Sequence, residues 1–457
     1  MRSVSLTMFR FFTATIAVFS MLSVHAQENS PYSRYGMGDF FQGQHINSRG
    51  MGGLGAAYAD GTANNNGQTV NFANPAAYSN LFLISYDIGL TYDSRTLRSN
   101  NPSGKFGSKY LIPSYFALGM PLNKKRSIGM AFGLRPLSRI NYSIIDAGRA
   151  AGDSIQRTYS GSGGLNQAFI GLGKKWKGFS IGFNTGINFG RKEVATFVSF
   201  VNDSIAYKQS KSGSTSTFSG LFLSGGSQWE FAIKKVNIPR IKTTETYLVR
   251  LGVTGTLGND MNAKQDIDRT TVAFNSIGEL VGIDTVYNVA NQKGKITMPA
   301  NYAAGISFRK TVLAPRGLFD IWSIGAEYTA TQWSKYRYYG GTDAMTDSWM
   351  FKVGAQISPD PVSGRSYWGT VNYRFGFFTG EEGINADGKG LKTTGGSFGL
   401  GIPVRKWNTY SNQFTIVNTS LQFGKRGTSV NNITENFFRL SFGLSLSDIW
   451  FIPRKYD

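Results

Sequence analysis

The sequence predicts an all-β fold, a transmembrane antiparallel β-barrel of about 14 strands. Three observations carry this. The chain holds Gly 56, Phe 34, Tyr 22 and Trp 8 but only two histidines, a glycine- and aromatic-rich balance that suits many strands with aromatic girdles. From Phe82 onward, large apolar residues alternate with small or polar ones. The connections between these segments are long and short by turns, as in barrels with long outer loops and short periplasmic turns.

Taken in order, residues 1–26 read as a secretory signal peptide. Arg2 and Arg10 accompany the apolar stretch Phe11–Val24, and Val24 and Ala26 stand at the cleavage positions, so the mature chain begins near Gln27. A retained anchor helix is the alternative, for which the stretch is short. Residues 27–81 precede the first strand, 82–446 make the barrel, and 447–457 make a periplasmic tail. The mature chain has no cysteine, which excludes disulfides and thiolate chemistry, and a single histidine, His45.

The strands show a clean period of two. SYDIGLTYD sets Tyr86, Ile88, Leu90 and Tyr92 against Asp87, Gly89 and Thr91. SIGMAFGLR and GFSIGFNTGINF repeat the pattern, and FFRLSFGLSL points Phe438, Leu440, Phe442 and Leu444 one way and Arg439, Ser441 and Gly443 the other. A soluble sandwich also alternates, but here the second face is Gly, Ser, Thr and Asn with scattered charges. That is the pattern of apolar to lipid and small or polar to the lumen. Segments start near residues 82, 109, 127, 164, 179, 215, 244, 298, 319, 348, 367, 392, 413 and 434. Pro136–Gly163, Arg191–Ser214 and Gly258–Thr297 read as long polar connections, and 121–126 and 174–178 as short turns. Both termini are then expected on the periplasmic side.

GMGGLG, Gly50 to Gly55, spells a dinucleotide fingerprint letter for letter. Its context fails: no strand precedes it, AAYADG is too short for a crossover helix, and no acid follows about 20 residues on. The glycines read instead as small residues that let backbone run close to a barrel wall. Residues 27–81 are enough for a small hatch inside the lumen.

The segment MGGLGAAYADG followed by NFANPAAY, with Asn74-Pro75-Ala76, resembles the N-terminal hatch of the FadL-type long-chain fatty acid transporters. MPANYAAGISF, EYTATQWSKY, and WMFKVGAQI with YRFGFF resemble strands of that family. The tail WFIPRKYD is similar to the endings of related Bacteroidetes outer-membrane proteins. The resemblance implies a Gram-negative outer-membrane barrel, set among membrane lipids and lipopolysaccharide. It implies a hatch and gate at Gly50, Gly52, Gly53, Gly55, Asn74 and Pro75, and passage of a hydrophobic or amphipathic small molecule with lateral release through an irregular strand. Gly225-Gly226 is the expected irregularity. The alternative is an accessory, structural subunit of an outer-membrane secretion or protein-assembly complex, with the barrel as a docking surface.

Catalysis finds no support. A hydrolase needs a histidine base, and His45, in QGQHINSR, reads as a solvated loop residue. No His/Cys cluster suits a transition metal, and Asp266-Ile-Asp268 lacks the other calcium-loop ligands. No enzyme activity, cofactor or metal is expected. Alternation places Asp87, Arg135, Arg250, Glu327, Lys352, Arg374 and Arg439 in the lumen. Two readings stay open: a salt-bridge lattice between wall and hatch, or a carboxylate head group met by Arg250, Lys352, Arg374 and Arg439.

The chain is strongly basic, with Lys+Arg 48 against Asp+Glu 27. The excess falls on the proposed periplasmic turns 121–126, 174–178, 234–243, 309–318, 359–366 and 405–412 and on the tail. There, Asp360 and Asp457 are the only acids. Short turns tolerate lysine, which explains part of this. A basic rim also attracts anionic lipid head groups or an acidic periplasmic partner subunit. Nucleic acid is not an expected partner in that compartment.

Overall fold

A computed structural model describes residues 29–448 apart from 42, 61–67, 151–152, 202–207, 316, 387 and 405–413. The signal peptide, residues 449–457 of the tail and the cations of the 405–412 turn lie outside the described residues. The strands in chain order are β1 (Asp39–Phe40), β2 (Ile84–Asn100), β3 (Ser103–Asn123), β4 (Ile128–Ala150), β5 (Asp153–Trp176), β6 (Phe179–Phe200) and β7 (Gln209–Ile238). There follow β8 (Thr243–Thr256), β9 (Asn259–Phe274), β10 (Leu280–Met298), β11 (Asn301–Ala314), β12 (Gly317–Thr331) and β13 (Arg337–Tyr338). The last are β14 (Ser348–Ile357), β15 (Asn372–Ala386), β16 (Lys389–Val404), β17 (Phe414–Arg426) and β18 (Ile433–Asp448).

Fourteen of these, β2–β8, β11, β12 and β14–β18, form a closed antiparallel barrel. It closes where β18 meets β2, from Ile433↔Ser99 to Asp448↔Ile84. β8 pairs directly with β11, so β9 and β10 stand apart as an outer hairpin. Pairing of neighbouring strands around the ring satisfies their backbone groups, as a strand structure in lipid requires, except at one split described below.

The alternation sorts side chains as expected. On β6, Phe179, Ile181, Phe183, Ile187 and Phe189 are exposed, and Ser180, Asn184 and Asn188 are buried inside. On β18, Phe438, Phe442 and Leu444 face out while Ser441 and Ser445 face in. The outward belt on β6 runs from Phe179 to Phe189, close to the roughly 9–11 residues that a tilted strand needs to cross a bilayer.

Several expected connections are strand instead. β4 and β5 run through most of 136–163, and β6 and β7 through most of 191–214, while 258–297 is the β9–β10 hairpin. Beyond the belt both faces meet water, so the apolar alternation that marks a strand fades. The backbone groups still pair with neighbours, as at Lys192↔Ser216 and Lys211↔Thr270. The irregularity expected at Gly225-Gly226 is corrected: the ladders run through it at Gly182↔Gly226 and Gly225↔Gly255. The register shift of β7 lies between Ala232 and Lys234.

The wall is split elsewhere. β3 and β4 pair only from Phe116↔Leu134 to Asn123↔Ile128. Above that, β4 takes β1 as its partner, at Asp39↔Arg139 and Phe40↔Ser138. Ser30 N donates to Asn141 O at 2.9 Å and Phe41 N to Leu137 O at 2.8 Å. Across the split, Asn29 N donates to Ser108 Oγ at 3.0 Å, and its side chain donates to Ser143 O at 2.9 Å. Residues 29–41 thus close the seam.

Asn29 lies at the opposite end of the barrel from the end of the last strand. Ser108 and Ser143 lie about 15 residues from the Asn123–Ile128 turn, roughly 50 Å along the strand. β18 ends at Asp448, beside Ile84, at the short-turn end.

Candidate functional site

The rest of the described N-terminal segment, residues 43–60 and 68–83, lies inside the barrel. Its local structure is set by polar caps. His45 is extended and its Nδ1 accepts from Asn47 N, opening the short helix Ile46–Arg49. Asn74 caps the 3-10 turn Pro75–Asn80 by accepting from Ala76 N at 3.0 Å. Gly52 and Gly53 turn the chain in the left-handed region, with φ 70° and 88°.

The segment meets the wall through backbone, and the wall carries glycine where it does. A Cβ on Gly376 would lie 1.9 Å from Gly52 N, and one on Gly354 2.2 Å from Met51 O. The same holds for Gly252 against Ala56 O at 2.0 Å, Gly226 against Asn74 Oδ1 at 2.1 Å, and Gly129 against Tyr78 O at 1.9 Å. Gly226 is therefore a point of close approach. Of the hatch glycines, Gly52 sits between Val353 O and Phe377 O, Gly50 against Gly399, and Gly55 against Ala73, while a Cβ on Gly53 would meet only ordinary contacts with Gln44 and Lys352. Pro75 packs its carbonyl on Gly173 and Gly182.

Charge fixes what packing positions. Glu327 accepts from Gly55 N at 2.6 Å, Ala56 N at 2.7 Å and Lys352 Nζ at 3.0 Å. Lys352 also donates to Gly53 O at 3.2 Å. Asp87 accepts from Val70 N at 2.6 Å, and His45 Nε2 lies 3.3 Å from it. His45 is buried, which corrects the expectation of a solvated loop histidine: the lumen is an interior built for polar groups. Arg250 donates to Ala59 O at 2.9 Å and to Glu230, which Arg309 and Lys175 also reach. Arg135 donates to Gly43 O at 2.7 Å. Arg374 donates to Gln356 at 2.7 Å and Asn418 at 2.9 Å, and Arg439 to Asp93 at 2.8 Å. So Arg250 and Lys352 tie wall to segment, while Arg374 and Arg439 tie wall to wall.

A second ionic cluster holds residues 29–41. Asp39 sits between Arg95 Nη1 at 2.9 Å and Arg426 Nη2 at 2.8 Å. Glu435 lies 3.4 Å from Arg95 and 3.2 Å from Arg426. The sequence reading did not single out Arg95, Arg426 or Glu435. Alternation was the available signal: Arg95 shares a face with Asp87 and Asp93, and Glu435 with Arg439.

Little space remains. A cavity of about 40 Å³ lies among Asp60, Arg250, Arg309, Asp320 and Glu327, room for a few waters where one needs ~10–15 Å³. Toward the long-loop end the interior turns apolar, with Met37, Leu165, Phe218, Met261, Ile296, Trp333 and Tyr336 packed on one another. On the outside, Lys124, Lys125 and Arg126 are exposed in the β3–β4 turn, and Lys234 and Lys235 near the end of β7. Lys174 lies 4.5 Å over the Trp176 ring, and Lys175 is tied to Asn80 and Glu230.

Comparison with known proteins follows this geometry. A family model described as BamG matches residues 8–457. No curated protein matches the sequence. Among solved structures, a Pseudomonas aeruginosa FadL homologue aligns with TM-score 0.52 at 11% identity, covering 91% of this chain and 99% of that one. A CymD monoaromatic hydrocarbon channel aligns at 0.51 and 13%, covering 89% and 98%. The P. putida toluene transporter TodX aligns at 0.51 and 12%, covering 90% and 99%. At these identities the likeness is one of fold: the resemblance to FadL-type proteins holds for the barrel architecture.

Proposed function

From the premise that the chain belongs to the BamG family, we propose that it works in the outer membrane as a structural accessory subunit of a secretion or protein-assembly complex. One observation carries this reading: the chain fills its own lumen. Opening a passage would unseat Glu327, Lys352, Arg250 and Asp87 from the segment together. Each hydrogen bond to a charged group lost in this way costs about 1.5–3 kcal/mol. What the molecule then offers is surface. With the short turns in the periplasm, its basic rim faces anionic lipid or an acidic partner subunit.

The β3–β4 split favours a second reading. There the wall is closed by residues 29–41 rather than by its own strands, so release of those residues would open it sideways. The molecule would then pass a long-chain fatty acid-like ligand, with Arg250, Lys352, Arg374 and Arg439 near the head group and the glycine-rich segment as gate.

Purification from native membranes in mild detergent separates the two. Partners at fixed stoichiometry support the subunit reading. A chain that isolates alone, and after delipidation binds a fluorescent long-chain fatty acid, overturns it in favour of transport.

A further inference from the structure

The β9–β10 hairpin stands clear of the barrel. Its first arm continues the sheet from β7, pairing from Ser219↔Asn262 up to Gln209↔Val272. The outward apolar belt on β6 ends at Phe189, and Phe189 pairs with Ser219. The hairpin therefore begins where the belt ends. From Ser219 to Gln209 is a further 33 Å or so along the strand, at ~3.3 Å per residue. The tip is far above any lipid the belt could hold.

That tip is nonetheless apolar. Phe274, Ile277, Leu280, Val281, Ile283, Val286 and Tyr287 are all exposed. Residues 270–292 contain no lysine or arginine, in a chain of net charge +21, and the neighbouring tall strands carry Arg149, Arg157, Arg191, Lys192 and Lys211. Charges, above all lysine, are one way free sheet edges are protected from unwanted pairing, and between residues 280 and 292 this edge has no lysine or arginine and a single acid, Asp284. β10 bonds to β9 on one side. On the other it takes β13 at Ile296↔Tyr338 and Thr297↔Arg337, and Lys295 O accepts from Tyr339 N. Above Lys295 that edge pairs with nothing among the described residues. The edge already accepts a strand at its base, and the chain then turns away from it.

We propose that Leu280–Gly294 of β10 is a docking edge to which a partner protein on the outer face adds an extended strand. The partner segment would be apolar at alternate positions and would continue the line that β13 begins. Main-chain bonds supply the attachment, and Val281, Ile283, Val286 and Tyr287 supply the apolar contact. The inference rests on the subunit reading and names the surface such a partner uses.

The test takes the natively isolated assembly and the same chain stripped of partners by harsher detergent. Amide hydrogen exchange at 281–294 is expected to be at least tenfold slower in the assembly, with a cross-link from residue 286 mapping to an extended segment of one identified partner. The pair I283K/V286K should lower recovery of that partner roughly tenfold and leave thermal unfolding of the barrel unchanged. Equal exchange in both samples, or full recovery with the double variant, overturns the proposal while the subunit reading stands. A cross-linked product of two copies of this chain overturns it in favour of self-pairing. Absence of any stoichiometric partner removes the subunit reading itself.

Discussion

The two parts of the N-terminal segment are held by different means. Residues 29–41 pair with β4 through backbone and meet the wall's charges through a side chain: Asp39 lies in a cluster where Arg95, Arg426 and Arg439 share Asp39, Asp93, Glu382 and Glu435. Residues 43–60 and 68–83 meet the wall's charges chiefly through backbone, with amides on Glu327 and Asp87 and carbonyls on Lys352 and Arg250. The first arrangement is redundant, since Arg95 and Arg426 each keep a partner if one acid is lost. The second is not, since each wall charge has its own stretch of backbone. Changes to these wall charges should thus matter much in the second part.

The sharpest way to break this contrast is Glu327→Gln. Lys352 loses its buried partner, and the Gly55 and Ala56 amides lose a carboxylate. A loss of about 3–5 kcal/mol is expected. It should read as proteolysis within residues 43–60 while the barrel remains folded by its heat-dependent gel migration. Unchanged protease resistance would show that packing on the wall glycines alone holds the segment.

Gly52→Ala comes next. Left-handed backbone costs a non-glycine about 1–2 kcal/mol, and the new Cβ would lie 2.8 Å from Val353 O. Gly53→Ala carries the first cost without the second, as nothing lies closer than 3.4 Å. Urea unfolding should rank Gly52→Ala as the worse of the two, and equal loss would refute close approach as the reason for glycine there.

Asp39→Ala should do less than Glu327→Gln. Arg95 keeps Asp93 and Glu435, and Arg426 keeps Glu382 and Glu435. Loss of charged hydrogen bonds of this kind costs about 1.5–3 kcal/mol. The chain has no native cysteine, so Ser33→Cys reports the seam by thiol labelling. Labelling should rise when Asp39→Ala is added, with residues 43–83 still protected. Release of both parts together would mean that they are one cooperative unit.

What was legible in the sequence follows from where alternation survives. Within the belt, one face meets lipid and the other the lumen, so β6 and β18 were readable. Above it, SKSGSTSTFS of β7 meets water and looks like loop. The lumen face was readable by parity, which placed Asp87, Arg250, Glu327, Lys352 and Arg374 inside, where they are buried. Polarity misled at His45, because a barrel lumen buries polar residues and hydropathy does not mark that burial. The wall glycines Gly354 and Gly376 carried no signal of their own, since their purpose appears only when Met51 and Gly52 lie against them. The β3–β4 split was invisible for the same reason: it depends on residues far apart in the chain.

The smallest expected effect on either part of the segment comes from the rim. Of its cations, Lys124 lies 4.4 Å over the exposed Phe82 ring, and Lys175 reaches Asn80 Oδ1 at 3.2 Å and is bonded to Glu230. It belongs to the internal lattice and should be left intact. Lys124, Lys125, Lys234 and Lys235 are exposed, and Lys174 lies over Trp176, an aromatic exposed at the edge of the belt. Replacing these five with Gln should leave both parts of the segment seated and the barrel's unfolding unchanged. Near an anionic surface each Lys is worth about 1 kcal/mol. The variant should therefore bind vesicles containing phosphatidylglycerol more weakly than the parent, with neutral phosphatidylcholine vesicles showing no difference. Raising salt shortens the screening length from about 8 Å at physiological strength, and should bring parent and variant together. A salt-independent difference would assign the loss to altered packing near Asn80, and would join the rim to the backbone-held part of the segment instead of to the membrane.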